Sequence, residues 1–351
     1  MSRQVSRLMM SRLISRTMSR LPRLAGLTAV ILLVVALCGP PANAADGRLL
    51  GIEVQLDNDQ FAFTPGSQER WYTSGVLARW ALDADPTDFD ARLSAAWCAN
   101  VIGCDAGART ARVWSIGQAM YTPAYLSTTS PQPYDWPYAA ALSATISSVV
   151  YGERTRQSLG VSLGVIGPAA LGEPVQNAVH RVINNPPPLG WGLQVRAQPV
   201  FELNWSGMVA TPISPGRFDL VGRALVQLGN PVTQAGVGGL VRVGALPMGP
   251  EWPGEMALSR RPQGLHVYAG AEVRGVARNI LIDGATYGYD SLVQHRPWVA
   301  EAIGGASWAF DKAWSVDYSL SFRTVEFTAP LEPRALNPQR IGMIRLRWTP
   351  Q

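Results

Sequence analysis

Apolar and polar residues trade places one for one through long stretches of this chain, and that pattern limits its fold more than any other feature. Trp314, Val316, Tyr318, Leu320 and Phe322 alternate with Ser315, Asp317, Ser319, Ser321 and Arg323. A period of two puts the apolar set on one face of an extended strand. The band covers nine residues, within the roughly 9–11 that cross a bilayer as a tilted strand. The run from Trp191 through Leu193, Val195, Ala197, Phe201 and Leu203 to Trp205 repeats the pattern, as do Ile52, Val54 and Leu56 against Glu53, Gln55 and Asp57. Such segments fall at about 50–58, 72–82, 110–120, 138–151, 156–166, 190–206, 217–228, 234–245, 264–277, 296–310, 313–327 and 340–349. Twelve is an even number, as single-chain outer-membrane barrels require. Beyond Arg323 the phase slips onto Val325 and Phe327, for which a bulge is one explanation.

A one-sided soluble sheet alternates too, but its strands are typically about 5–6 residues long. The expectation is therefore an all-β protein, a transmembrane antiparallel barrel of about 12 strands with a polar lumen and aromatics near the strand ends. The chain ends in Trp-Thr-Pro-Gln, whereas such barrels usually end on an aromatic residue.

The first segment reads as an address. Six Arg and no acid precede residue 45, followed by an apolar run from Leu27 to Cys38 and then Ala42-Asn43-Ala44. This is the layout of a secretory signal with an A-x-A cleavage site, which assigns residues 1–44 to a cleaved leader and 45–351 to the mature barrel. An uncleaved anchor and a lipoprotein signal at Cys38 are the alternatives, and Leu37 is too large for the second.

Without the leader, 24 basic residues face 25 acids, so the basic balance of the whole chain gives no case for nucleic-acid binding. Lys312 is the single lysine, and His180, His266 and His295 are the only histidines. That excludes Walker-type phosphate loops, Schiff-base chemistry and zinc clusters of ordinary spacing. No G-x-S-x-G elbow occurs. Export places Cys98 and Cys104 in an oxidising compartment, where they are spaced to close a small disulfide in a loop-like stretch.

One segment breaks the alternation. Between the fifth and sixth strands, Pro174 can open a helix on which Val175, Val179, Val182 and Ile183 form an apolar stripe, and Asn184 to Pro188 stop it. Gln176 and His180 lie four apart and share a face. A neutral-to-cationic switch residue on a short helix at a barrel mouth is a candidate for chemistry, although an isolated helical His is more often structural.

Several stretches taken in order resemble the lipid A 3′-O-deacylases of the Gram-negative outer membrane, the LpxR type. They are Asp57-Asn58-Asp59, Trp71 to Gly75, Gly117 to Pro123, Asp135 to Ala139, Gly164 to Pro168 with Gln176 and His180, Gly190-Trp191, Arg278 to Gly284 and Arg323 to Phe327. The likeness covers nearly the whole mature chain. It implies a twelve-stranded barrel that removes the 3′-linked acyloxyacyl group of lipid A by Ca²⁺-dependent ester hydrolysis. The residues it assigns to the active site are Asn58, Asp59, Thr73, Gln176 and His180, with Asp59 and Asn58 as metal ligands. In that scheme a neutral imidazole takes a proton from the attacking water and an oxygen-held cation steadies the oxyanion. Asn58 shares the apolar phase of the first strand, which suits a site on the rim of the wall, open sideways to the outer leaflet.

Two departures bear on head-group recognition. A Lys/Arg pair that relatives can carry after the Tyr-x-Pro stretch is here Leu126 to Ser130, and Asp-Arg-Pro-Tyr-Ala-Gly reads Asp135-Trp136-Pro137-Tyr138-Ala139-Ala140. The expected partner is lipid A of lipopolysaccharide in the outer leaflet, bound by a membrane-embedded monomer. An outer-membrane phospholipase and a non-catalytic porin-like barrel are the competing readings.

Overall fold

A computed structural model describes residues 47–62, 70–259, 261–284, 292–328 and 338–350. The expected leader lies outside the described residues. The strands run β1 (Leu49–Asn58), β2 (Trp71–Asp83), β3 (Arg109–Thr122), β4 (Ala139–Tyr151), β5 (Thr155–Ile166), β6 (Gln198–Ser214) and β7 (Phe218–Gly229). They continue as β8 (Val232–Gly244), β9 (Gly264–Asn279), β10 (Gln294–His295), β11 (Trp298–Ala309), β12 (Trp314–Arg323), β13 (Phe327–Thr328) and β14 (Gln339–Trp348). Helix α1 (Phe89–Val101) joins β2 to β3, α2 (Gly172–Ile183) lies between β5 and β6, and α3 (Ile280–Asp283) follows β9.

Twelve strands close into an antiparallel barrel, every neighbour following its predecessor, with β14 returning to β1 so that Ile52 stands opposite Trp348. No helix among the described residues is long and apolar enough to cross a membrane. Closure pairs every edge, which is what lets backbone amides sit in hydrocarbon.

The two faces follow the alternation. Leu163, Phe201, Leu203, Val237, Val241, Leu265 and Val267 point outward and are exposed. Trp298 and Phe322 crown this belt at one end, and Trp308 and Trp314 at the other, as interfacial girdles do. The opposite phase fills the lumen with ion pairs: Arg79 with Glu53 (2.5 Å), Arg345 with Asp317 (2.9 Å), Arg242 with Asp219 (2.6 Å) and Arg274 with Glu301 (2.9 Å). The β8–β9 loop folds into this lattice, where Arg345 Nη1 donates to Glu255 O (2.9 Å) and Arg223 pairs with the Glu255 carboxylate (2.8 Å). Among the described residues, two lumen cavities of ≈ 340 Å³ each lie between these pairs, bordered by Arg79, Arg223, Arg274 and Arg323. A lumen so stapled is not the open, water-filled bore of a porin.

Three details differ from the sequence reading. The sixth strand occupies Gln198–Ser214 rather than 190–206, because Trp191–Leu193 form a 3-10 turn. Trp191 and Val195 are buried there, and Val195 N donates to Tyr138 O (2.9 Å), so their spacing reflects docking onto the wall. The phase slip after Arg323 is the end of a strand and not a bulge: Phe327–Thr328 pair with Gln294–His295 in a separate two-stranded ladder. Finally, Cys98 lies within helix α1 and not in a loop, while its disulfide to Cys104 forms as expected.

Candidate active site on the outer rim

Five barrel elements bring the candidate residues to one rim: the end of β1, the start of β2, the end of β3, the start of β4 and the end of β5 with the loop that follows. This rim carries the long connections 123–138 and 167–197. The opposite rim carries both barrel ends, tight turns at 152–154, 215–217 and 310–313, the inward-folded β8–β9 loop, and one further long connection, 84–108, most of it helix α1. By the loop rule for outer-membrane barrels, the candidate rim is the extracellular one.

Asn58 closes β1 in the outward phase of Ile52, Val54 and Leu56, opposite Ser74 of β2. Its Oδ1 accepts from Gln60 N (2.7 Å), which turns the chain into the 3-10 segment Asp59–Ala62. Asp59 is buried, and its Oδ2 accepts from Arg70 N (3.0 Å), drawing the two ends of the β1–β2 loop together. Burial pushes the Arg70 guanidinium below its usual range, and the charges of Asp135 and Asp59 oppose that shift. The side chain lies over the Trp71 ring, 4.4 Å from its centroid.

Thr73 occupies a bulge. Tyr72 pairs with Tyr121 and Ser74 with Met120, so Thr73 is the extra residue. In an unbroken strand it would share the lumen phase of Gly75, Leu77 and Arg79. In the bulge its hydroxyl instead meets Thr122 Oγ1 (2.7 Å), at the outward end of β3. Trp71, just before the bulge, has φ 62°, a conformation unusual for a bulky residue. Its indole N–H donates to Asp135 Oδ1 (2.9 Å), and its ring packs on Phe327.

Helix α2 lies against the outside of the wall, over β3 and β4. Gln118 Nε2 donates to Ala170 O (2.6 Å), pinning the entry to the helix. At Gly172 a Cβ would come within 2.5 Å of Ala140 Cβ and the Trp191 ring, so the close approach needs glycine. The face turned to the wall is not the valine stripe. Val182 is exposed, whereas Gly172, Gln176 and His180 are the buried residues. Polar side chains seldom take the buried face of a helix unless they have fixed partners or a task.

Gln176 and His180 both have fixed partners. Asn184 adopts the left-handed conformation (φ 57°) that ends the helix, and the following prolines fold back beneath it. His180 Nδ1 lies 2.6 Å from Pro186 O. A carbonyl only accepts, so Nδ1 carries a proton, and of the two tautomers of an uncharged ring the contact selects the one with its lone pair on Nε2. Trp191 Nε1 donates to Gln176 Oε1 (2.7 Å), which makes Nε2 the donor end of the amide; that NH₂ is buried with no acceptor among the described residues. Trp191 is itself locked against Tyr138, ring centroids 5.2 Å apart.

The rim thus carries Asn58, Asp59 and Thr73 on one side and Gln176 and His180 on the other. β3 joins them: Thr122 bonds Thr73, Met120 packs with Trp191, and Gln118 holds the helix entry. The sequence did not reveal Pro186 as the imidazole's partner, Trp191 as the amide's, or Thr122 as the threonine's. Only the Gly190-Trp191 motif hinted at one of them. Trp136, where the resemblance led to an expectation of Arg, is buried and stacked on Tyr121 at 5.2 Å, and Asp135 accepts from Trp71 Nε1 and from Ala124 N (2.8 Å).

Fold and rim define a twelve-stranded outer-membrane barrel with buried polar groups gathered on the outside of its wall. The chain belongs to the LpxR family of outer membrane proteins, whose model matches residues 27–349. This is the lipid A deacylase family that the ordered motifs pointed to. Among solved structures it is similar to LpxR from Salmonella typhimurium, with TM-score 0.67 and 20% identity over 85% of this chain and 99% of that one. More distant is the β domain of the Bordetella autotransporter BrkA, with TM-score 0.43 and 9% identity over 85% of this chain and 98% of that one. No curated protein matches the sequence.

Proposed function

We propose that the protein hydrolyses the 3′-linked acyloxyacyl ester of lipid A, using water activated by His180 at the outer face of the barrel. The observation that carries this reading is the pair of locked groups on α2. An imidazole is held by a carbonyl at Nδ1, and a buried amide N–H₂ has its other end fixed by Trp191. The neutral Nε2 accepts a proton as water adds to the ester carbonyl. The Gln176 N–H₂ donates to the oxyanion that develops on the former carbonyl oxygen. Collapse of the tetrahedral adduct breaks the bond to the sugar oxygen, which takes the proton back from the imidazolium. The products are a free fatty acid and the sugar hydroxyl.

The residues across β3 from this pair suit a hard cation. Asn58, Asp59 and Thr73 offer an amide oxygen, a carboxylate and a hydroxyl, the donor chemistry Ca²⁺ prefers. Among the described residues no cluster of three carboxylate, imidazole or thiol side chains exists, so backbone carbonyls, water and substrate would complete the shell. Bound there, Ca²⁺ supplies Lewis-acid stabilisation of carbonyl charge.

The test is acyl release from purified lipid A in mixed micelles with Ca²⁺, read by mass spectrometry. His180→Ala and Asp59→Ala are each expected to abolish release while the barrel keeps its folded mobility on unheated gels. Unchanged release from either variant would remove the mechanism. Release from phospholipid but not from lipid A would reassign the substrate to glycerol esters.

A further inference from the structure

Helix α1 lies on the outside of the barrel too, but at the periplasmic rim. Ala91, Ser94 and Cys98 form its buried side. Ser94 Oγ donates to Ser148 O (3.2 Å), and Gln157 Nε2 donates to Ser94 O (2.9 Å). Gln157 precedes the lumen-lining Ser158 and follows Arg156, which reaches Glu255 in the lumen. Gln157 therefore points outward, yet it is 0% exposed because α1 covers it. Arg112, in the outward phase of β3, donates to Asp88 Oδ2 (3.0 Å) and to Asp90 Oδ1 (2.6 Å) at the start of the helix. The helix and the residue before it thus give partners to Gln157 and Arg112, two polar side chains that would otherwise face lipid.

Its remaining surface is divided. Phe89 (82% exposed), Leu93 (46%), Trp97 (48%) and Val101 (48%) recur every four residues and form one uncovered apolar stripe. Arg92, Ala95 and Ala99 take the side across the helix from it, all exposed, and the one large side chain among them is charged. With a second side seated on protein and a third of two alanines and one Arg, the stripe is the one apolar face of this helix that protein leaves uncovered among the described residues. The stripe is continuous with the lipid-facing wall: Ile102, just past the helix, would touch a Cβ on Gly207 of β6, beside the Trp205 ring. The Cys98–Cys104 disulfide fastens the end of the helix to the segment that leads into β3.

We propose that α1 is a membrane-docking helix, whose Phe89-Leu93-Trp97-Val101 stripe sits among the acyl chains of the phospholipids in the periplasmic leaflet. The partner is a lipid surface, because the stripe prolongs a face that lipid already wets. A protein partner would instead have to compete with that lipid at its edge. In this role the helix fixes the depth and rotation of the β3–β5 side of the wall, the same side that carries α2 at the other rim.

The experiment uses the mature protein in phosphatidylethanolamine/phosphatidylglycerol vesicles, with or without bromine on the acyl chains. The emission lost on Trp97→Phe isolates Trp97 from the other tryptophans. Brominated lipid is expected to cut that difference by about half or more. A tryptophan placed on the opposite flank, Arg92→Trp in the Trp97→Phe background, is expected to be untouched by brominated lipid and quenched by acrylamide. Trp97 quenched by acrylamide and not by brominated lipid would put the stripe in water and overturn the proposal. Trp97 shielded from both quenchers would mean that protein covers it, which overturns it equally.

Discussion

Trp191→Phe separates positioning from catalysis at the proposed site. The substitution keeps an aromatic ring against Tyr138 but removes the N–H that donates to Gln176 Oε1 at 2.7 Å. A buried amide oxygen left facing a phenyl edge costs about 1–3 kcal/mol. Without that donor nothing holds the amide one way round, so the turned-over form, with its oxygen rather than its N–H₂ toward the reacting carbonyl, competes with the productive one, and kcat should fall, by up to roughly 150-fold. The ceiling is the loss from Gln176→Ala, about 10²–10³ for an oxyanion donor. KM should move little, because the donor acts on charge that exists only as the bond forms. Initial rates of acyl release from lipid A micelles, measured for both single variants and the double variant, provide the check. If Trp191 works through Gln176, adding Trp191→Phe to Gln176→Ala costs almost nothing further. Losses that multiply, or an unchanged kcat in Trp191→Phe with the barrel folded, would refute the coupling.

Other outcomes follow from the same geometry. Chelation should stop acyl release and added Ca²⁺ restore it, with half-saturation near 10⁻⁴–10⁻³ M, roughly that expected of a site with one carboxylate; calcium titration of the rate measures it. Thr73→Val should cost about 1–3 kcal/mol, because the buried Thr122 hydroxyl loses its 2.7 Å partner, and the heating midpoint of the folded gel form reports the loss. On the β8–β9 loop, burial raises the Glu251 carboxyl, but Arg261, Arg347 and Arg242 outweigh it and bring it to about 2. A carboxyl depressed from 4.5 stabilises the fold above that pH, and the contribution drains away as pH falls toward 2. The amount at stake is roughly 3 kcal/mol. Glu251→Gln should therefore flatten the decline in heating midpoint between about pH 5 and pH 3, and an unchanged slope would count against the pairing.

How much of this was legible in the sequence depends on the range of the interactions. Strand alternation is local, and it yields twelve strands in order with soft ends. It misleads at Trp191 and Val195, because an irregular segment docked on the wall buries alternate residues for its own reasons. Helix α1 leaves no such trace because its packed side is Ala91, Ser94 and Cys98, small residues that make no hydrophobic face in a periodicity count. Motif order singled out Asn58, Asp59, Thr73, Gln176 and His180 as candidates, but it gave no sign of the groups that orient them. Pro186 acts through a backbone carbonyl, Trp191 through an indole N–H fifteen residues beyond Gln176, and Thr122 through a bulge that shifts Thr73 out of phase. None of these has a spacing signature.

The placement of the site bears on which esters can reach it. A substrate coming through the lumen would have to displace the Arg345–Asp317, Arg274–Glu301 and Arg223–Glu255 pairs, each costly to break where it is buried. A substrate drawn from the bilayer into water would forfeit about 0.8 kcal/mol for each methylene exposed, roughly 10 kcal/mol for a fourteen-carbon chain. The outward rim avoids both costs. A lipid of the outer leaflet can bring its ester to His180 and Gln176 while its chains stay in hydrocarbon along β3 to β5. With the proposed site at this rim, that path would select for esters near the head-group boundary of the outer leaflet, as in lipid A, and against soluble esters, which gain nothing from the surrounding hydrocarbon.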